Sequence, residues 1–375
     1  MTHQKNSFNS RHYVPVLRGK AAEFDALDNL PETLKDRMTP LIEIPSKKFN
    51  PDDPQTPGRV DLEFRKCIAR IASSRGERQV FLDLQHLDPL VRGLNNLHPV
   101  EVMWREAELV CLFPPTPTPV VALDSPLDYR VAVRDVLANA DASFVGLCLR
   151  LKNQHLLYPN SQGAVDDFLE FFSLEPESVD LVFDFEMVGK SGFNLGALCA
   201  ALPYLQRWRT FTTIGGAFPV DLREFDVGEH NHPRWEWRRY FQQVAQGSSL
   251  ARRPAFGDYT IQHPIYIEPV DGARPSASVR YTCEQDTLIM RGESLAKDGG
   301  AGHKQYPAHA VMLCSRNEFY GQHYSYGDKY IFEIAEKFEE LMQREKGGTG
   351  GPQEWIAAGI NHHLTVVTHQ VFVLP

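Results

Sequence analysis

The chain has 375 residues, 42% of them hydrophobic and 23% charged, and a formal net charge of −9. That length buries one large core, or a large core with a smaller domain beside it. The acidic balance and the lack of a long basic run disfavour bulk electrostatic capture of nucleic acid, although Arg252-Arg253 leaves a weak local option.

Short apolar runs recur along the first two thirds of the chain, at residues 13–18, 39–45, 79–84, 119–124, 144–150, 179–185, 210–216 and 254–259. They are continuous rather than alternating, which is the pattern of strands buried on both faces, as in a parallel sheet. Helical patterns lie between them, at 23–37, 61–73, 129–139, 196–205 and 234–245, and supply the crossovers that parallel strands need. Eight such runs fit an α/β fold of the TIM-like (β/α)8 type, which takes about 250 residues. An open doubly wound sheet is the main competitor. No Gly-x-Gly-x-x-Gly follows an early run, so a dinucleotide fold lacks its usual support.

After His263 the texture changes. Residues 278–282 and 287–291 read as a hairpin. Helices are expected near 306–315 and 328–344, the second with Asp328 as its N-cap, and a last segment spans 355–373. The expected organisation is a barrel over 1–263 and a smaller α+β appendage over 264–375.

The functional face of such a barrel is the C-terminal end of its strands. Charge sits at most of those ends: Arg18 and Lys20 on the first, Glu43 on the second, Asp83 on the third, Asp124 on the fourth, Arg150 on the fifth, Asp184 and Glu186 on the sixth, Asp258 on the eighth. Glu43, Asp83, Asp184 and Glu186 are candidate catalytic carboxylates, able to hold Mg²⁺ or Mn²⁺ through oxygen or to divide into acid and base. Arg18, Lys20, Asp124, Arg150 and Asp258 are candidate ligand-binding residues. The bland alternative is that these charges pair with one another across the mouth. Gly215-Gly216, after the seventh run, suits either a tight turn or a close approach of backbone to a ligand. His230-Asn231-His232 and His362-His363 lack a third ligand at metal spacing, so solvent-facing or capping positions are expected for them. The aromatic C-terminal part suits a docking surface, with Tyr324, Tyr326, Asp328 and His362 as candidate partner-binding residues.

The six cysteines are scattered with no C-x-x-C pair, the polar opening lacks a leader-like apolar stretch, and no apolar run is long enough to span a bilayer. These features point to reduced thiols in a cytoplasmic protein without a membrane anchor. No Walker loop, Gly-x-Ser-x-Gly elbow or His-Glu-x-x-His motif occurs.

The opening Tyr13-Val14-Pro15-Val16-Leu17-Arg18-Gly19-Lys20, with Thr39-Pro40-Leu41-Ile42-Glu43-Ile44-Pro45, resembles the phage and bacterial "beta protein" family of the T-even phage type. Gly327-Asp328-Lys329-Tyr330-Ile331 and Gly359-Ile360-Asn361-His362-His363-Leu364-Thr365 are similar to that family's C-terminal pattern. The resemblance implies a component of a phage–host conflict (antiphage defence) system that acts through protein partners, and it supplies no catalytic residues. The alternative is a metal-dependent hydrolase of the phosphodiesterase type, built on the strand-end acids.

Overall fold

The computed structural model describes residues 8–45, 52–110, 117–139, 146–157, 160–245, 250–267, 275–296, 299–344 and 347–374. In chain order the strands are β1 (Tyr13–Arg18), β2 (Leu41–Glu43), β3 (Val80–Asp83), β4 (Pro117–Val121), β5 (Leu147–Lys152), β6 (Val179–Met187), β7 (Thr210–Gly216), β8 (Gly228–Pro233), β9 (Ala255–Asp258), β10 (Ser276–Thr282) and β11 (Asp286–Ser294). The first seven and β9 form a closed parallel barrel, and β10, β11 and β8 form a separate antiparallel sheet. Closure comes from β9, which pairs with β7 on one side and β1 on the other. The open sheet is thereby ruled out.

The helices are α1 (Ala21–Asp28), α2 (Glu32–Lys35), α3 (Thr56–Arg75), α4 (Pro99–Val110), α5 (Leu127–Asn139), α6 (Asn153–Leu156), α7 (Ser161–Phe172), α8 (Leu195–Ala201), α9 (Trp235–Ala245), α10 (Gln305–Cys314), α11 (Tyr326–Glu336), α12 (Phe338–Gln343) and α13 (Pro352–Phe372). Two expected helices prove broken. Residues 23–37 form α1 and α2, because Pro31 cannot continue a helix through its own ring and instead precedes the second one. Residues 328–344 form parts of α11 and α12, which meet at Lys337. The N-cap of α11 is Ser325, whose hydroxyl accepts from the Asp328 N–H, so Asp328 lies inside the first turn. Helices α4 and α7 are not among those expected.

The period of two along each barrel strand separates two cores. Val14, Val16, Leu41, Phe81, Val120, Cys148, Val182 and Ile214 fill the lumen. Their neighbours Tyr13, Leu17, Ile42, Leu82, Val121, Leu149, Leu181 and Phe256 face the helices. Gly257 also points into the lumen, where a Cβ would meet the Val14 carbonyl at 2.5 Å, so only glycine fits there. The N-terminal end of the barrel is closed by Gln79, whose amide donates to Thr118 and Asp180, and by Asp180, which also takes Arg209 and Thr210.

A boundary at residue 263 does not divide this structure. β8 precedes that point but pairs with β11 of the appendage. α13 lies far beyond it, yet its Ile360, Leu364, Val367 and Val371 belong to the barrel's outer core with Leu27 and Phe256. α13 packs on α1 and β1 and also on β10 and α11. It is buried almost all round, as a helix shared by two cores must be. His230 and His232 likewise lie in β8, not in a loop, where His232 Nε2 meets the Ala217 carbonyl at 2.7 Å.

Cys148, Cys199, Cys283 and Cys314 are free thiols, Cys67 is half-buried on α3, and Cys111 lies outside the described residues. Among the described residues no helix is long and apolar enough to cross a membrane.

Candidate functional site

Five of the charged strand ends follow a lumen residue by two positions: Arg18 after Val16 at the open mouth, and, deeper, the four residues Glu43 after Leu41, Asp83 after Phe81, Arg150 after Cys148 and Asp184 after Val182. The pleat therefore aims all four into the lumen, and closure brings them to one axis. They meet around Arg150. Its Nη1 donates to Glu43 Oε1 at 2.9 Å and to Asp83 Oδ2 at 2.6 Å, and its Nη2 to Asp184 Oδ2 at 2.7 Å. Arg150 Nη2 also reaches the Tyr259 hydroxyl at 2.6 Å, and that hydroxyl donates to Asp184 Oδ2 at 2.6 Å. Tyr259 was not among the candidates. It follows β9 and packs over Gly216, where a Cβ would lie 3.2 Å from its ring. Gly216 thus gives room to Tyr259 and Pro264, while Gly215 gives room to Val188, 2.7 Å from where its Cβ would lie.

The remaining carboxylate oxygens are nearly all engaged. Asp83 Oδ1 accepts from the Gln85 backbone N–H at 3.0 Å and Oδ2 from its side chain at 2.7 Å, while Asp184 Oδ1 accepts from the Glu186 N–H at 2.8 Å. Among the described residues, Glu43 Oε2 alone in this cage has no hydrogen-bond partner. His86 Nε2 lies 3.7 Å away, beyond hydrogen-bond reach.

The cage is almost completely desolvated. Burial by itself would lower the Arg150 pKa, but Tyr259 and the surrounding acids lift it well above its ordinary value. Burial would raise Glu43, yet Arg150 and His86 hold it down at about 2. Asp83 ends above its ordinary value, because burial outweighs its contact with Arg150. A guanidinium thus sits where a metal would have to sit, with the acids' lone pairs directed at it. Among the described residues no group of three or more His, Cys, Asp or Glu is placed to hold a metal ion. The residues do not fit Mg²⁺ or Mn²⁺. Adding either at millimolar concentration is expected to move the melting temperature by less than about 1 °C, read by differential scanning fluorimetry. A rise of several degrees would mean that the cation displaces Arg150.

The other candidates lie elsewhere. Glu186 is on the rim in a left-handed backbone conformation, φ 54°, and pairs with Lys152 at 2.8 Å. Asp124 is exposed, 3.2 Å from His155 and 3.0 Å from the Gln154 amide, fastening the β4 and β5 loops together. Arg18 and Lys20 stand at the mouth over the Tyr266 ring. Asp258 is a correction. It follows outward-facing Phe256 by two residues, so the same parity that aims Asp83 inward turns Asp258 out toward the helices. There it accepts from Tyr13 Oη at 2.6 Å and meets His363 Nε2 at 3.0 Å.

His362 and His363 are equally displaced from expectation, since both are buried. His363 Nε2 faces a carboxylate and must carry the proton, so Nδ1 accepts from the Thr282 hydroxyl at 2.8 Å. His362 Nδ1 meets Asp328 Oδ2 at 2.8 Å, and its Nε2 the Thr282 carbonyl at 2.8 Å. Tyr281 donates to Asp328 Oδ1 at 2.7 Å. Asp328 and His362 are therefore internal and not available to a partner. Tyr324 is half-buried with its hydroxyl 3.1 Å from His369, and Tyr326 is exposed. The apolar environment of two adjacent histidines was the missed signal: an apolar segment flanking both sides leaves no polar face for them.

The closed barrel with its ion-paired plug begins at Tyr13, and the C-terminal helix welded to it ends at Phe372. The family model described as "Beta protein" matches residues 13–369. The chain belongs to the Beta protein family. The match includes the barrel, the appended sheet and nearly all of α13, so both cores are part of this family's pattern. A comparison with curated proteins finds no match.

Proposed function

We propose that this member of the Beta protein family is a recognition scaffold that acts by binding a protein partner at the barrel mouth. The setting is the phage–host conflict that the family resemblance suggests, with the cytoplasm as its compartment. The observation that carries the reading is the contrast between plug and rim. The acids that chemistry would require are committed to Arg150 inside the barrel. The segments that follow the strands around the mouth instead hold out large apolar side chains. Leu90 is 70% exposed, Leu127 67%, Leu157 83% and Ile267 58%, and they follow β3, β4, β5 and β9 in turn. Apolar side chains gathered at one end of a molecule and rimmed by charge suit an interface. Hydrolysis on a metal is the weaker reading, because the cage does not fit one.

The test is capture from native host extract by the full chain and by a Leu90→Ser, Leu157→Ser, Ile267→Ser variant. Solvent-facing substitutions leave stability within about 0.5 kcal/mol, so folding is not at issue. A specific protein retained by the wild type and lost by the variant is expected. Retention by both, or by neither, overturns the assignment to the mouth.

A further inference from the structure

One corner of the mouth holds polar groups that the fold leaves unsatisfied. Arg18, Glu43 and Asp83 are in register on adjacent strands, so Arg18 stands beside the cage at its solvent end. The Arg18 guanidinium lies 4.9 Å and the Lys20 ammonium 4.6 Å from the centre of the Tyr266 ring. Among the described residues neither cation is ion-paired, and Arg18 spends one donor on the His263 carbonyl at 2.5 Å. His86 stands 6.2 Å from the same Tyr266 ring and 3.7 Å from Glu43. Glu43 and Glu23 are 2% and 3% exposed, and among the described residues each keeps one carboxylate oxygen without a partner; Gln262 serves the other oxygen of Glu23 at 2.8 Å. Both carboxylates lie in the electrostatic field of Arg18.

Unsatisfied buried acceptors are uncommon and costly, so a pair of them beside two uncommitted cations marks a place built for something else. The acceptors call for hydroxyl or N–H donors. The cations call for a compact multivalent anion, which they would hold with charge-assisted hydrogen bonds. We propose that this corner of the barrel mouth binds a small phosphorylated polyol, with its phosphate on Arg18 and Lys20 and its hydroxyls donated to Glu43 and Glu23. Tyr266 orders the two cations and covers the apolar side of the carbon chain. The corner binds this ligand without making or breaking a bond. It does not rest on the partner reading and stands or falls separately.

Glycerol 3-phosphate and methyl phosphate are the probes, titrated calorimetrically into the full chain. Methyl phosphate carries the same anion without hydroxyls. Glycerol 3-phosphate is expected to bind at least fivefold more tightly, since each hydroxyl meets an acceptor that otherwise has none. Lys20→Gln, a half-buried change outside the cage, is expected to weaken both probes roughly tenfold. Tyr266→Leu provides a second variant that removes the stacking surface and is expected to weaken both in the same way. Absence of binding by glycerol 3-phosphate at millimolar concentration overturns the site, as does an affinity unchanged in both variants. Equal affinity for the two probes overturns the assignment of the hydroxyls to Glu43 and Glu23.

Discussion

Replacing Arg150 with methionine is expected to destabilise the protein by roughly 3–5 kcal/mol, the cost of stripping a buried charge cluster of its partner. Methionine fills similar volume, so the loss is electrostatic and not a cavity effect. Three buried carboxylates would face one another with only the Tyr259 hydroxyl, the Gln85 side-chain amide and the backbone N–H groups of Gln85 and Glu186 left to them. The pH dependence has a definite sign. In the wild type Glu43 is held at about 2, below its ordinary 4.5, so its stabilisation is present above 4.5 and is lost as pH falls toward 2. Asp83 works the other way. Its pKa is raised, so its ionised form costs stability, and that cost is relieved as pH falls through the raised value. Removing the guanidinium puts every acid of the cage in the position of Asp83. The deficit of Arg150→Met should therefore be larger at pH 8 than at pH 5 by urea unfolding. Neutralising the acids in the same background, with Glu43→Gln and Asp83→Asn, should recover much of it. A variant as stable as the wild type at pH 8 would refute the account of Arg150 as the plug of the barrel.

Replacing His363 with leucine is expected to cost roughly 2–4 kcal/mol, because it leaves Asp258 with two donors and Thr282 without its acceptor. The two ends of this contact belong to different parts of the molecule, β9 of the barrel and β10 of the appended sheet, with α13 between them. The loss should appear in a single unfolding transition, since α13 supplies side chains to the barrel core and packs on the second core. Burial holds His363 below its ordinary 6.5, and Asp258 also lies below its ordinary value, where the contact with His363 outweighs burial. Both groups take up protons more readily when unfolded. Their contribution is therefore intact above about 6.5 and declines as pH falls below it. The wild type should lose stability between pH 7 and pH 5 more steeply than His363→Leu. Two separated transitions in the variant, or parallel pH profiles, would contradict the weld.

Much of the fold was legible in the residues. Continuous apolar runs separated by helical patterns indicate parallel strands buried on both faces, and eight of them indicate closure. The carboxylates of the plug were legible too, by their position two residues beyond lumen side chains. The same counting, taken strictly, removes Asp258, which shares a face with Phe256. The helices α4 and α7 and the break at Pro31 fell where local propensity and tertiary packing compete.

The sequence by itself determined the eight strands of the barrel and that acids and cations share their ends. Those are local properties, set by side-chain period and apolar content. The tertiary structure decided which charges meet. Arg150 reaches Glu43, 107 positions away, and Asp184, 34 positions away, only because closure of the barrel sets β2, β3, β5 and β6 around one axis. His362 and His363 become interior for the same kind of reason: α13 returns to the barrel across the appended sheet, and burial there leaves each histidine an aspartate as its partner. Charge at a strand end is a statement about one strand, whereas a plug or an open site is a property of how several strands converge.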